Sequence, residues 1–237
     1  MRMLVGAAVA AIGMLAVGCG RVPDGRFADP RVTALVAAAA DGDDARVAEL
    51  HAAGADLDAR GIHGRTPLMV LVLAGADNGV RALLAAGADP AAGDDDGRTI
   101  LHHAAAEPTT SMLAELLDLG VDPSLRNTVT GAGPLHEALL SERPDAVRML
   151  IERGTDVDLA DRTGHTPLHD AAAINQTEAV LALLAAGADP TARTVNGATF
   201  QRHLFMTPEE ILLPEVQRDR RTIRRWLEER GVPVEHG

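Results

Sequence analysis

The sequence has little of several residue types on which many protein classes depend. Its 237 residues contain no lysine and no tyrosine, a single cysteine (Cys19), one tryptophan and three phenylalanines. One cysteine excludes an intramolecular disulfide and a zinc site built from several cysteines. An aromatic content of 2% disfavours a β-sandwich, whose strands are usually rich in aromatic and β-branched residues. The core must therefore consist mainly of Ala, Leu, Val and Ile side chains.

Acidic residues outnumber basic residues in the chain. Its 34 acidic and 22 basic residues give a formal net charge of −12. A protein of this charge repels nucleic-acid phosphates, so nucleic acid is not expected as a partner. Apolar residues still make up 46% of the chain, which is enough to bury a core.

The amino terminus predicts an export signal. Arg2 precedes an uncharged, mostly apolar run at residues 4–17. This run is shorter than the roughly 20 residues that a transmembrane helix needs, and it is typical of the apolar region of a secretory signal. It ends in Leu15-Ala16-Val17-Gly18-Cys19, which resembles the lipobox of bacterial lipoproteins, with Ala16 where leucine is most common.

The lipobox resemblance implies that Cys19 is the lipidated first residue of the mature chain. Residues 1–18 are then the signal peptide, and residues 19–29 are the lipidated cysteine and a short tether. The resemblance further implies an exported protein that is anchored to the cell envelope by its lipid and faces the periplasm. Since Gly20 rather than aspartate follows the cysteine, the outer membrane is expected in a Gram-negative cell. An ordinary cleaved signal and an uncleaved anchor are the alternatives.

The rest of the chain repeats itself with a period of 33 or 34 residues. Segments 80–90 and 180–190 differ at a single position. A fixed period of this length predicts a solenoid, in which one unit cannot bury both of its apolar faces and must stack on its neighbours. Five glycines, each followed two residues later by aspartate, mark the period: Gly54, Gly87, Gly120, Gly154 and Gly187.

One period predicts a helical hairpin with a projecting turn. Thr66 is suited to cap a helix that begins at Pro67 and ends near Ala74. A second helix is predicted at about 78–86. Gly87 then offers the left-handed conformation that terminates a helix.

The segment Thr166-Pro167-Leu168-His169-Asp170-Ala171-Ala172 matches the TPLHxAA signature of ankyrin repeats in full. The segment from Thr99 departs from it only at proline, and the segment from Gly133 departs at threonine and the second alanine. The chain therefore resembles ankyrin repeat proteins. The resemblance implies an all-α solenoid of helix-turn-helix units over residues 30–193. We expect five repeats and a modified C-terminal capping repeat, at about 29–60, 61–93, 94–127, 128–160, 161–193 and 194–237.

The capping repeat carries an insertion, because Gly231 follows Gly187 at more than one period. The insertion is expected within 205–217, where Thr207 is predicted to cap a short helix of its own. The arginines that follow are expected to form a solvated terminal face: Arg218, Arg220, Arg221, Arg224 and Arg225.

The histidines do not form a metal-binding pattern. His102, His136 and His169 hold the signature position, and the resemblance implies that each hydrogen-bonds backbone in the neighbouring turn. His136 begins an HExxH-like segment without its second histidine, and His165 is expected to precede the helix that carries His169.

No other motif indicates catalysis or a cofactor. Asp94, Asp95 and Asp96 lack the glutamate that would complete a calcium loop. Phosphate-binding and nucleophile motifs are absent from the sequence. We expect no enzyme activity, no cofactor, no metal and no small-molecule substrate. An enzyme with an unfamiliar site near Arg202 and His203 is the remaining alternative.

With no catalytic or metal-binding pattern found, the sequence favours a surface that binds another protein. Ankyrin proteins bind other proteins through their turn tips and the inner face of their first helices, and the resemblance transfers that role by register. The resulting partner-binding candidates are Ile62, His63, Arg65, Leu73, Asp95, Asp96, Arg98, Glu107, Leu140, Ser141, Arg162, His165 and Ile174. Leu73, Leu140 and Ile174 are predicted to form an apolar strip with basic edges, unless they are scattered or covered by neighbouring repeats.

The sequence thus predicts a monomeric, non-catalytic protein-interaction module that binds an envelope or periplasmic protein. Two narrower roles stay open. One is an immunity or inhibitor protein that neutralises a toxin or enzyme, and the other is a structural scaffold of an envelope complex.

Replacement of the only cysteine tests the membrane anchor. We expect Cys19→Ala to move the protein from the membrane fraction to the soluble fraction, because acyl chains on one residue supply about 0.8 kcal/mol per buried CH₂. Cell fractionation and immunoblotting would measure this. Unchanged membrane association of the variant would refute lipidation at Cys19.

Overall fold

The computed structural model describes residues 27–235. The proposed signal peptide, Cys19 and most of the tether lie outside these residues. Within them the chain forms α-helices and two single-turn 3₁₀ helices, Ile62–Gly64 and Glu209–Ile211, without a β-strand. No helix between residues 27 and 235 has the length and apolar character needed to span a bilayer.

The α-helices alternate between two layers, so that consecutive helices form hairpins. The first helices of the six hairpins are α1 (Pro30–Ala40), α3 (Pro67–Ala74), α5 (Ile100–Ala106), α7 (Pro134–Leu140), α9 (Pro167–Ala173) and α11 (Phe200–Met206). The second helices are α2 (Asp44–Ala52), α4 (Asp77–Ala86), α6 (Ser111–Asp118), α8 (Pro144–Glu152), α10 (Thr177–Ala185) and α12 (Pro214–Glu229). Each first helix packs against the next first helix, and α12 packs mainly against α10.

One apolar core runs the length of the stack, from Val32 to Leu227. A leucine is fully buried in the first helix of each of the first five hairpins: Leu35, Leu68, Leu101, Leu135 and Leu168. In the second to fifth hairpins it stands two residues after the helix cap. This regular burial explains the fold, since the short first helices of a solenoid are stabilised chiefly by packing on their neighbours.

The sixth hairpin has Gln201 in the leucine position. Its buried amide donates to the Pro233 carbonyl at 3.0 Å and accepts from the Glu235 backbone N–H at 2.9 Å. The Thr199 hydroxyl also donates to the Glu235 carboxylate at 2.8 Å. The C-terminal tail therefore closes the stack at the place where a further repeat would begin, and it satisfies a polar group that burial would otherwise destabilise.

The local expectations for the second hairpin are confirmed. The Thr66 hydroxyl accepts a hydrogen bond from the Met69 backbone N–H at 3.3 Å, and α3 ends at Ala74. Helix α4 ends at Ala86, and Gly87 follows with a φ of 98°. Only glycine adopts this left-handed conformation without steric cost.

The expected role of the signature histidines is also confirmed. Nδ1 of His136 accepts from the Gly133 backbone N–H at 3.1 Å, and Nε2 lies 3.1 Å from the His165 carbonyl in the next unit. His102 and His169 bridge in the same way to Ala132 and Ala198. Each histidine thus joins the start of its own helix to the turn of the following unit.

Two expectations for the C-terminal unit are wrong. A short helix does follow Thr207, the 3₁₀ helix Glu209–Ile211, but Pro208 holds its N-cap position and no side chain caps it. Arg220 is not solvated: it is 1% exposed, and its guanidinium donates to the Thr207 carbonyl at 2.7 Å and to Asn175 Oδ1 at 2.6 Å. The helical period places Arg220 on the same buried face of α12 as Ile223 and Leu227.

Loss of a histidine bridge should weaken the stack. We expect His136→Ala to lower the free energy of unfolding by about 2–4 kcal/mol, because it leaves the buried Gly133 N–H unpaired and opens a cavity. The His165 carbonyl would lose one of its two hydrogen bonds and keep the one from the Asp161 backbone N–H at 2.8 Å. Urea unfolding followed by circular dichroism would measure the loss. The exposed His51→Ala is the control and should change stability by less than about 0.5 kcal/mol. Equal effects of the two changes would contradict the bridging role.

Candidate functional site

The projecting turns form a regular edge along the solenoid. Successive tips are joined by backbone hydrogen bonds from Asp95 N to His63 O, Thr128 N to Gly97 O, Arg162 N to Thr130 O and Val195 N to Thr163 O, all 2.9–3.0 Å long. Gly164 has a φ of 81°, and a β-carbon there would lie 3.0 Å from the Thr194 Cα of the next tip. This ladder fixes the side chains of the tips at one repeat spacing from each other.

A row of ionisable side chains lies on the first helices beside the tips. It consists of His103, Glu137, Asp170 and His203, each four residues after the residue that precedes its helix, and we call it the polar row. Two contacts join the row to the tips. His103 Nε2 lies 2.9 Å from Asp94 Oδ2, and the Arg98 guanidinium lies 3.1 Å from the Glu137 carboxylate.

Apolar side chains continue the same helix faces away from the tips. Leu140 follows Glu137 by three residues and Ile174 follows Asp170 by four, so each shares a face with its polar neighbour. Leu140 is 59% exposed, Ile174 is 40% exposed and Met206, three residues after His203, is 70% exposed. We call Leu140, Ile174 and Met206 the apolar row. The tips, the polar row and the apolar row together form the inner face.

The structure places the predicted residues on this face with different degrees of exposure. Leu73 is half-buried, so the apolar strip expected from the sequence is exposed mainly toward the C-terminal end. The exposed candidates are Ile62, His63, Asp95, Asp96, Glu107, Leu140, Arg162 and Ile174. The half-buried candidates are Arg65, Leu73, Arg98, Ser141 and His165.

The basic edge expected beside the strip is largely engaged within the protein. Arg98 is paired with Glu137, and the Arg162 guanidinium donates to the Thr128 carbonyl at 2.9 Å. Asp95 lies 3.4 Å from Arg60. The inner face is therefore a mixed polar and apolar surface rather than a basic one.

Three histidines meet where the fifth and sixth hairpins join. The ring centroids of His165, His169 and His203 lie 5.7–6.4 Å apart, although His165 precedes α9 as expected. Both nitrogens of His169 are engaged by Thr166 and Ala198, so this ring has no free lone pair for a metal. Within residues 27–235 no group of His, Cys, Asp and Glu side chains is arranged to hold a metal ion.

The repeated hairpins, the histidine bridges and the ladder of tips find their counterpart in a known family. The family model for ankyrin repeats matches three overlapping stretches, residues 35–127, 74–161 and 101–194. The chain belongs to the ankyrin repeat family. Ankyrin repeats generally mediate protein–protein interaction and are generally not catalytic.

A solved structure supports the ankyrin fold. The crystal structure of EF0377, an ankyrin repeat protein, superposes with a TM-score of 0.61 and covers 80% of this chain and 97% of its own. The identity is 24%, so the likeness shows the ankyrin fold alone. No curated protein matches the sequence significantly.

Sequence reasoning missed most of the polar row and Met206. The variable position of the ankyrin signature carries His103, Glu137 and Asp170, whose chemical types differ and form no recognisable motif. Their common position in the repeat is the sequence feature from which the polar row could have been predicted. Met206 occupies the same register as Leu73 and Leu140 but follows a sixth unit whose signature is degraded.

Burial alters the ionisation of the polar row. Desolvation raises the pKa of Asp170 to about 7, and the nearby charge of Asp161 adds to this effect. Burial also raises the pKa of Asp161, but hydrogen bonds from Thr163 and His165 outweigh it and leave that pKa lowered. Burial lowers the pKa of His103 and of His203. At neutral pH the row therefore carries less charge than its composition indicates.

Replacement of Asp170 by asparagine should stabilise the protein in a pH-dependent manner. An aspartate in an unfolded chain has a pKa near 3.9, so the folded protein retains a proton that the unfolded chain releases between about pH 4 and 7. Stability is therefore lost as the pH rises through this window. We expect the gain from Asp170→Asn to grow by about 1 kcal/mol or more between pH 5 and 8. Urea unfolding at several pH values would measure this gain in stability. The exposed Asp41→Asn is the control. The same pH dependence in both variants would contradict the raised pKa of Asp170.

Proposed function

We propose that this ankyrin protein binds another protein of the bacterial envelope or periplasm through its inner face, while a lipid on Cys19 holds it at the membrane. The observation that carries the proposal is the exposed apolar row beside a polar row. Exposed large apolar side chains that recur at one register are a feature of interaction surfaces. The adjacent ionisable groups would provide orientation and specificity.

The C-terminal half of the inner face is the better candidate for the contact. Leu140, Ile174 and Met206 lie on successive first helices, whereas Leu73 is half-buried. The turn tips of this half also project Val129 and Val195, which are exposed. A partner that covers these residues removes apolar area from water at about 25 cal/mol per Å².

Two narrower roles fit this surface. An immunity or inhibitor protein would cover the active site of a toxin or enzyme with its inner face. A scaffold would hold several envelope proteins together. The identity and number of captured partners distinguish these roles, and an adjacent toxin or enzyme gene favours the first.

Two charged substitutions test the inner face. We expect Leu140→Arg/Ile174→Arg to abolish capture of a specific protein from detergent-solubilised envelopes, because the two guanidinium groups would be buried against apolar partner atoms. Mass spectrometry of the captured material would measure this. Leu119→Arg is the matched control, since Leu119 is 42% exposed at the end of α6, a second helix.

The outcomes separate the possible sites. A partner lost with the inner-face variant and kept with the Leu119 variant assigns the binding site to the inner face. A partner retained by both variants contradicts the proposal. Each variant must keep the helical circular dichroism of the wild type.

A further inference from the structure

A cleft of about 550 Å³ lies on the second-helix layer, away from the inner face. It is lined by the N-terminal halves of α8, α10 and α12. Both α8 and α12 pack against α10, and they leave a gap between them. On one side of the gap stands α12, which is longer than the second helix of any other hairpin.

The cleft has an apolar floor. Val147 of α8 is buried, and Ala179 of α10 and Val216 of α12 are half-buried beside it. The side chains at the floor are short, so they leave room for a side chain from a bound segment.

The rim of the cleft is acidic. Glu142, Glu178 and Glu215 are exposed, and none of them has an ion-pair partner among the described residues. The fourth carboxylate, Asp219, accepts a hydrogen bond from the Thr177 hydroxyl at 2.9 Å. The one basic residue of the lining, Arg148, lies 3.3 Å from Asp145 and so offers no net positive charge.

We propose that this cleft docks a basic segment of a partner protein, in which an aliphatic side chain enters the apolar floor and flanking Arg or Lys side chains meet the carboxylates of the rim. Charge complementarity selects this occupant. Three unpaired carboxylates around one opening repel an acidic segment, and they attract cations most strongly next to a surface of low dielectric constant.

The helix dipole does not account for the acidic rim. Glu178 and Glu215 lie in the first turns of α10 and α12, where a negative charge interacts favourably with the helix end. That interaction does not neutralise the carboxylate. Glu142 lies outside any helix, in the turn between α7 and α8, and has a φ of 55°. The three charges therefore converge for a reason beyond helix capping.

A peptide selection tests the cleft. The full-length chain in detergent micelles would be used to select from a displayed library of random 12-residue peptides, and enriched peptides would be synthesised with a fluorescent label. We expect enriched sequences with Arg or Lys on both sides of Leu, Ile or Val. Fluorescence anisotropy would measure their binding to the wild type and to Glu178→Gln/Glu215→Gln.

Matched variants identify the site of binding. We expect Glu178→Gln/Glu215→Gln to bind about tenfold more weakly, and Glu152→Gln/Glu228→Gln to bind like the wild type. The control pair removes the same charge from exposed positions near the ends of α8 and α12. Leu140→Arg/Ile174→Arg should also bind like the wild type. The experiment can therefore contradict the proposal for the cleft without contradicting the proposal for the inner face, and the reverse.

Several results would overturn the proposal. They are a selection without enrichment, enriched peptides without basic residues, and equal binding by the cleft and control variants. Self-association of the wild type that is abolished by Glu178→Gln/Glu215→Gln in sedimentation velocity would show that a second copy of this chain occupies the cleft instead.

Discussion

Each of the three stacking steps from the third to the sixth hairpin has a neutral histidine that holds two backbone segments at once. In His102, Nδ1 accepts from the Thr99 backbone N–H at 3.2 Å, so the ring proton must lie on Nε2, which donates to the Ala132 carbonyl at 3.1 Å. Burial lowers the pKa of His102 to about 4 and keeps the ring in this form. Because the bridge joins one helix start to the next turn, it sets the register in which tips and first helices align.

This register is what allows a sequence without functional motifs to build a continuous surface. Side chains that share a place in the repeat are brought to one face, whatever their chemical type. Glu137 and Asp170 are thereby neighbours in a row although 33 residues separate them. The inner face is a property of the repeat register, and its chemistry depends on which residues occupy the free positions.

The sequence was sufficient to predict the hairpins and their caps, because each depends on local geometry that recurs along the chain. Thr66 and Gly87 are examples whose neighbours in sequence determine their conformation. The histidine bridges reach the following unit, and the expectation of them came from the resemblance to ankyrin repeats. The burial of Arg220 was not predictable in this way. One partner, the Thr207 carbonyl, lies in the insertion, which has no counterpart in the other repeats. The other, Asn175, lies 45 residues before Arg220, in the turn of the fifth hairpin. The reduced charge of Asp170 likewise depends on burial, which only the folded stack provides.

The inner face and the cleft belong to different helix layers, which bears on the choice between inhibitor and scaffold. Occupation of one layer leaves the other accessible, so two partners can bind the chain together. Under the proposed lipid anchor, residues 20–29 reach at most about 35 Å from the membrane. The tether joins the first hairpin, whereas the apolar row and the cleft lie in the last three. With that anchor, both proposed surfaces would lie at the end of the stack remote from the membrane, where a soluble periplasmic partner would have freer access than a protein embedded in the same membrane.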